Sequence, residues 1–317
     1  MSVLISLWHS AKLGTTFWLG PVTLHLRLAR SVAVSGNRLR MRAPWRRAAI
    51  AVAAAPAAPA AQPRPLTPEP GRDGPPGTVS APARPQLALI VGTGPGLGSA
   101  LARRFAKAGM QVAVVARNTE KLHLLLKEIH DSGGKAQAFA CDATDERSVI
   151  RLLALVSEDM GVPDVVVYNV EHFIPGTILD ITTSAFEECW RAMTLGGFLV
   201  GRACALRMVA RGSGTIIYTG ATGALRGRAD YINMAVGKFG LRALAQSMAR
   251  DLAPQGIHVA HVILDGGILG ARSKDVERER MSSMFPEHIA ETYLQIHLQH
   301  RSVWTQEMDL RPWLEKF

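Results

Sequence analysis

The segment "DYINMAVGKFGLRALAQSMARDL" (residues 230–252) carries one lysine in apolar company, Lys238, and reads as the front of a buried helix. A lysine so placed could polarise a neighbouring proton donor, lowering the pKa of a phenol. One helical turn earlier, where such a phenol would sit, the residue is Met234; the only nearby tyrosine, Tyr231, is seven positions from Lys238. Upstream, "VGTGPGLGSALARRFAKAG" (residues 91–109) places Gly92, Gly96 and Gly98 between an apolar run and a helical pattern. Glycines there let the backbone approach a pyrophosphate at a helix N-terminus, with Leu97 inside the same turn.

Those groups need a scaffold, and the chain alternates in the way that supplies one. "LALIVG", "QVAVVAR", "KAQAFACD", "PDVVVYNV", "GTIIYTG" and "HVAHVIL" are apolar, strand-like runs. Helical patterns such as "EKLHLLLKEIHDSGG", with its glycine stop, separate them. Strands alternating with helices of this length predict an α/β fold: a single doubly wound parallel sheet with helices on both faces. The glycine run then falls at the first strand–helix junction, where a dinucleotide binds.

The second strand ends "VVARN", with Arg117 and no acid in that stretch. A cation there favours the 2′-phosphate of NADP, and NAD is the less favoured cofactor; a solvated surface arginine is the alternative reading. Asp142, after the third strand, is placed to meet an adenine amino group or to cap the following helix.

The totals are bounded by where the charge lies. The 317-residue chain has a formal net charge of +10, yet nine of its 36 Lys/Arg precede Glu69, the first acid. Residues 69–317 therefore hold 27 basic against 26 acidic residues, a net of +1. A nucleic-acid partner is not expected of so neutral a domain. Residues 1–68, Arg-rich and acid-free, have the composition of an organelle transit peptide, mitochondrial or plastid, with a cytoplasmic tail as the alternative. The uncharged run Leu13 to Leu26 is 14 residues, short of the roughly 20 that span a bilayer. Residues 69–85 continue a Pro/Ala/Gly-rich linker, and the domain is expected over 86–317. Cys141, Cys189 and Cys204 form no C-x-x-C pair, and His258/His261 and His297/His300 lack a completing carboxylate, so no metal is expected.

From residue 87 to about 270 the chain resembles the short-chain dehydrogenase/reductase family. The likeness rests on "VGTGPGLG" for T-G-x-x-x-G-x-G, "CDATD" for C-D-V-T-D, "VVYNVEH" for N-N-A-G, and "KFGLRALAQSMARDLAPQGIHVAHV" for the helix and strand that follow the active site. It implies one Rossmann-type domain that binds NAD(P)(H) and interconverts alcohols and carbonyls. Asn169 would then support the cofactor, and Lys238 would bond the nicotinamide ribose. Helices around 187–210 and 235–252, rich in small residues such as Gly196, Gly197, Gly201 and Ala203, would pair between subunits of a homo-oligomer.

The departures matter as much. Val91 replaces the opening threonine, Val170 and Glu171 close the N-N-A-G position, and "DGGILG" stands where a Pro-Gly pair is usual. Of the family's Asn, Ser, Tyr and Lys, the first three are Met193, Ala221 and Met234. Methionine transfers no proton and alanine offers no oxygen. Loss of general acid catalysis costs about 10²–10⁴-fold in rate. The expectation is an NADP(H)-binding protein impaired or silent in ordinary carbonyl chemistry, partnering a small molecule or a protein. The alternative is an oxidoreductase with a replacement donor, Tyr231 or Thr222, with Tyr218, Glu171 and Asp265 as further candidates. Met193, Ala221 and Met234 would then line an apolar floor beside the nicotinamide.

Overall fold

The computed structural model describes residues 84–270 and 282–314. The first 83 residues, including the proposed leader and most of the linker, lie outside the described residues. Seven parallel strands form one sheet: β1 (Leu87–Val91), β2 (Gln111–Ala116), β3 (Lys135–Ala140), β4 (Val165–Tyr168), β5 (Gly214–Thr219), β6 (Ile257–Leu264) and an edge strand of Glu307–Leu310. Short strands at Gly267–Ile268 (β7) and Ser283–Met284 (β8) pair outside it, so the edge strand is β9. The order across the sheet is β3-β2-β1-β4-β5-β6-β9. The winding reverses between β1 and β4, which opens a crevice at their C-terminal ends, where open α/β sheets bind ligands.

Every residue of β1 is buried because helices cover both faces, and alternate side chains enter two separate cores. Leu87, Leu89 and Val91 pack with α3 (Glu146–Asp159), α5 (Gly196–Arg211) and α6 (Ile232–Leu252). Ala88 and Ile90 pack with α1 (Leu97–Lys107), α2 (His123–Asp131) and α7 (Pro286–Leu298). Arg104 of α1 holds Glu291 of α7 at 2.5 Å. α7 is a core helix, packed through Ile289 and Leu294.

The helix α4 (Thr183–Trp190) runs through a π-helical turn, Arg191–Leu195, into α5. The combined helix is long and apolar enough to cross a bilayer, but it is a core element, with 56% of its apolar window buried. Its glycines face the sheet. A methyl on Gly201 would lie 1.9 Å from the Tyr218 hydroxyl, and one on Gly196 2.2 Å from that of Tyr168. Of the small residues read as a subunit-pairing pattern, Gly196 and Gly201 are required inside the subunit, where two buried tyrosines need the room.

Candidate functional site

The strand-β1 turn is built for close approach by something outside the protein. Gly92 has φ +89, and a methyl there would meet the Asn169 carbonyl at 2.7 Å. Gly98 is equally confined, 2.8 Å from Thr93 Cα, so both glycines serve the packing of α1 on the sheet. Gly94 and Gly96 differ: an added methyl meets nothing within 4 Å. Gly96 caps α1 without a side-chain hydrogen bond, and no acid occupies the first turn. Unbonded N–H groups and the positive end of the helix dipole therefore face open space, which suits a pyrophosphate. The Leu97 side chain is buried in the core, so of this residue only the backbone amide can serve such a ligand.

Asn169 sits across the crevice, its backbone N–H on the Val91 carbonyl at 2.8 Å and its side-chain amide on the Gly92 carbonyl at 3.2 Å. Arg117 is exposed at the end of β2, with no ion pair or hydrogen bond among the described residues. Asp142 accepts from the backbone and hydroxyl of Thr144 at 2.9 and 2.8 Å. Burial works against its ionisation, but these bonds, with Arg117 and Arg191 nearby, hold its carboxyl below the ordinary range. Asp142 is not the helix cap: Asp145 takes that role, accepting from the amides of Arg147 and Ser148.

At the chemical end, Lys238 is 1% exposed and donates to the Thr219 carbonyl at 2.9 Å. Burial lowers its pKa, and the charge of Glu171 opposes that. Met193 has no exposed surface and packs against Gly237, where a methyl would meet its Cε at 2.6 Å. Met234 leans on Gly223. The expected apolar floor is thus mostly sealed: Met193 is core, Met234 is 9% exposed, and only Ala221 is partly open.

The replacement donors fare unequally. Thr222 donates a hydrogen bond from its hydroxyl to Asp265 at 2.6 Å. Asp265 also binds Arg226 and Arg311; burial opposes its ionisation, but the Thr222 bond and the two arginines lower its pKa. Tyr218 is fully buried and bonds the Gly197 carbonyl, with its pKa pushed well above the ordinary value by burial. Both hydroxyls are thus engaged with acceptors inside the fold. Tyr231 stands at the N-cap of α6, its ring stacked on Phe173 at 4.7 Å, with the Arg228 guanidinium 5.2 Å from its centroid. Among the described residues its hydroxyl has no hydrogen-bond partner. The preceding Asp230 is the one described non-glycine residue at positive φ, +63, and its carbonyl receives the Gly176 amide at 3.1 Å. Asn233 adds a bond to the Ile174 carbonyl at 2.6 Å, tying the loop after β4 to the front of α6.

One group escaped the sequence reading. His261 lies buried under α6, its Nδ1 3.1 Å from Glu307 Oε2, and Glu307 takes Arg242 through two bonds of 2.8 and 2.6 Å. The His258/His261 spacing was legible, but as a metal pattern it led nowhere. The two rings do face opposite sides of β6: His258 stacks on Trp304, and His261 points at α6. The missing carboxylate comes from β9, far along the chain, where spacing carries no signal. Among the described residues no three His, Cys, Asp or Glu form a metal-holding group.

With this geometry in view, likeness to known proteins becomes informative. Residues 86–280 match the model of the short chain dehydrogenase family, and the chain belongs to that family. It is 33% identical over 187 residues to sorbitol-6-phosphate 2-dehydrogenase of Escherichia coli, covering 58% of this chain and 72% of that protein. It is 31% identical over 182 residues to the 3-oxoacyl-[acyl-carrier-protein] reductase MabA of Mycobacterium avium, covering 57% and 66%. A short-chain dehydrogenase from Rhodopseudomonas palustris, 36% identical, superposes with a TM-score of 0.64 over 73% of this chain and 100% of its own. A metagenomic short-chain oxidoreductase solved in complex with NADP, 25% identical, gives 0.63 over 73% and 98%. Dinucleotide binding and the oxidoreductase fold are thereby supported for the class.

Proposed function

We propose that this protein is an NADP(H)-binding member of the family whose ordinary alcohol and carbonyl chemistry is impaired or silent. The observation that carries the reading is the chemical end itself: Lys238 alone of the four expected groups is present, and Met193, Ala221 and Met234 fill the other positions without a proton or an oxygen to offer. The cofactor end remains fit for use. The amides around Gly94–Leu97 would hold the pyrophosphate, Arg117 the 2′-phosphate, Asp142 the adenine, Asn169 the wall of the crevice, and Lys238 the ribose hydroxyls. A bound NADPH would supply a hydride; the chain's contribution is to bind and orient it and to exclude water through the sealed methionine layer.

Tyr231 carries the second reading, an NADPH-dependent oxidoreductase with a displaced acid. Its phenol has no hydrogen-bond partner among the described residues, and it sits at the front of the helix that bears Lys238. Thr222 is the weaker donor because its hydroxyl already donates a hydrogen bond to Asp265.

Titration of the full chain with NADPH and NADH, followed by turnover on a carbonyl panel, tests both. NADPH binding without turnover is the expected result. Turnover abolished by Tyr231→Phe with binding intact would establish the second reading instead. Failure to bind either nucleotide would overturn the cofactor assignment. The leader composition supports import into a mitochondrion or plastid, tested by imaging the full chain against one lacking residues 1–68. Homo-oligomerisation is supported by the apolar outer face of α5 and α6, where Phe198, Leu206 and Phe239 are 42%, 64% and 41% exposed.

A further inference from the structure

His261 raises a question that its surroundings answer. It is fully buried, and its Nε2 has no hydrogen-bond partner, a costly state for a buried polar atom. Its Nδ1 faces the carboxylate of Glu307, and Arg242 keeps that carboxylate ionised. Burial opposes the ionised state of Glu307, but the bonds from Arg242 and His261 lower its pKa. The proton of the neutral ring therefore belongs on Nδ1, and Nε2 presents a lone pair. Burial depresses the pKa of His261 and Lys238 and Arg242 press it the same way, against Glu307, so the ring is neutral near pH 7.

The position of Nε2 narrows the choice of donor. A methyl on Gly220 would lie 2.5 Å from it, so the ring fills the space that this glycine leaves at the end of β5. Lys238 holds the carbonyl of Thr219, the adjacent residue, and among the described residues uses only one of its three N–H groups. Arg242 is committed to Glu307 and the Ala224 carbonyl, the Gly220 amide to Val262, and the Tyr293 hydroxyl to Thr219. The unspent donor and the unspent acceptor thus abut consecutive residues, Thr219 at the end of β5 and Gly220 just after it.

We propose that His261, oriented by Glu307, is a positioning residue for Lys238: its Nε2 accepts from the lysine ammonium through a bridging water and keeps that ammonium charged inside the fold. Glu307–His261–Lys238 is then a buried chain from the partly exposed sheet edge to the dinucleotide crevice. It supports Lys238 from behind, although Met193 and Met234 have removed polar support in front. The charged groups acting on the pair are Glu171 from the loop after β4, Arg242 from α6 and Glu307 from β9. The pairing stands on the protein alone; its consequence for ligand affinity rests on the dinucleotide reading.

The test follows the two side chains in the full-length protein without ligand. Lysine labelled with ¹³C at Cε reports the Lys238 titration, assigned with Lys238→Met. His261→Leu should lower the Lys238 midpoint by about one pH unit, equivalent to tenfold in the proton equilibrium. His261→Gln, whose amide oxygen can stand in for Nε2, should recover most of that shift. Where the leucine variant does not fold, ¹⁵N-labelled histidine provides the reciprocal measurement. Lys238→Met should then move the His261 Nε2 resonance from a hydrogen-bonded towards a free-acceptor value. An unchanged Lys238 midpoint in folded His261→Leu, or an unchanged Nε2 resonance in Lys238→Met, overturns the proposal. NADPH affinity measured against pH then separates the two readings. If the spectra show the coupling and NADPH does not bind, the pair stands and the dinucleotide assignment falls.

Discussion

Gly92 and Gly96 respond differently to the same added methyl. Gly92→Ala places a Cβ 2.7 Å from the Asn169 carbonyl and forces an L-residue to φ +89, so it should lower stability by about 1–3 kcal/mol. Gly96→Ala meets no neighbour within 4 Å, but its φ of −93° goes with a ψ of −123°, outside the regions that L-residues favour, so its thermal midpoint should fall, though less than that of Gly92→Ala. The methyl at position 96 would also stand where a pyrophosphate must approach, and NADPH affinity should fall at least about tenfold. Melting curves beside nucleotide titrations separate the two; equal loss of stability in both would remove the case for an open cradle. Arg117→Asp tests selectivity at the same scale. It should weaken NADPH far more than NADH, because a carboxylate repels a 2′-phosphate and can accept from a ribose diol. Equal weakening would show the arginine to be mere solvated surface.

At the scale of the element, α5 and β5 are fitted to each other through glycine. Tyr218 reaches across the sheet face to the Gly197 carbonyl at 3.1 Å, and Gly201 leaves room for its hydroxyl. Gly201→Ala should therefore destabilise by about 1–3 kcal/mol through overpacking, since a fully buried ring cannot swing aside. Pairing it with Tyr218→Phe, which removes the colliding oxygen, should recover part of that loss, as chemical denaturation of single and double variants would read. Additive losses would mean that the helix, rather than the ring, gives way. The same fit explains why a run of small residues in the sequence suggested contact between subunits: small side chains report a close approach, and composition does not say to what.

The whole molecule should lose stability in acid in two stages. Burial lowers the pKa values of His258 and His261 below those of histidine in the unfolded chain. The unfolded state therefore binds more protons as pH falls below about 6.5, and stability falls with it, by up to about 1.4 kcal/mol per pH unit for each ring, until the folded values are reached. The carboxylates of Asp142, Asp265, Glu291 and Glu307 have folded pKa values below the ordinary range, that of Glu291 at about 2. Their stabilisation is present above the unfolded carboxylate values, near 4, and is lost as pH falls through the folded ones. Thermal midpoints from pH 8 to pH 3 should thus decline first near 6 and again below 4. His261→Gln should flatten the first decline; an unaltered profile would assign it elsewhere. For the exposed face of α5 and α6, light scattering should find an oligomer that Leu206→Glu shifts towards monomer.

The sheet, its winding and the glycine turn could be read from the chain because each rests on local chemistry. A run such as "LALIV" buried on both faces, or a glycine between strand and helix, imposes its conformation through nearest neighbours and a short period. That methionine or alanine stands at positions 193, 221 and 234 was equally legible, being a matter of which residue occupies a position relative to Lys238. What the sequence left open was set by distance along the chain. Only the folded sheet brings Glu307 of β9 beside His261 of β6, seats Thr222 on Asp265, and turns Gly196 and Gly201 inward to two tyrosines. Those contacts depend on strand order and helix docking, in which residues 17 to 46 positions apart become neighbours, and no local pattern encodes which of them will meet.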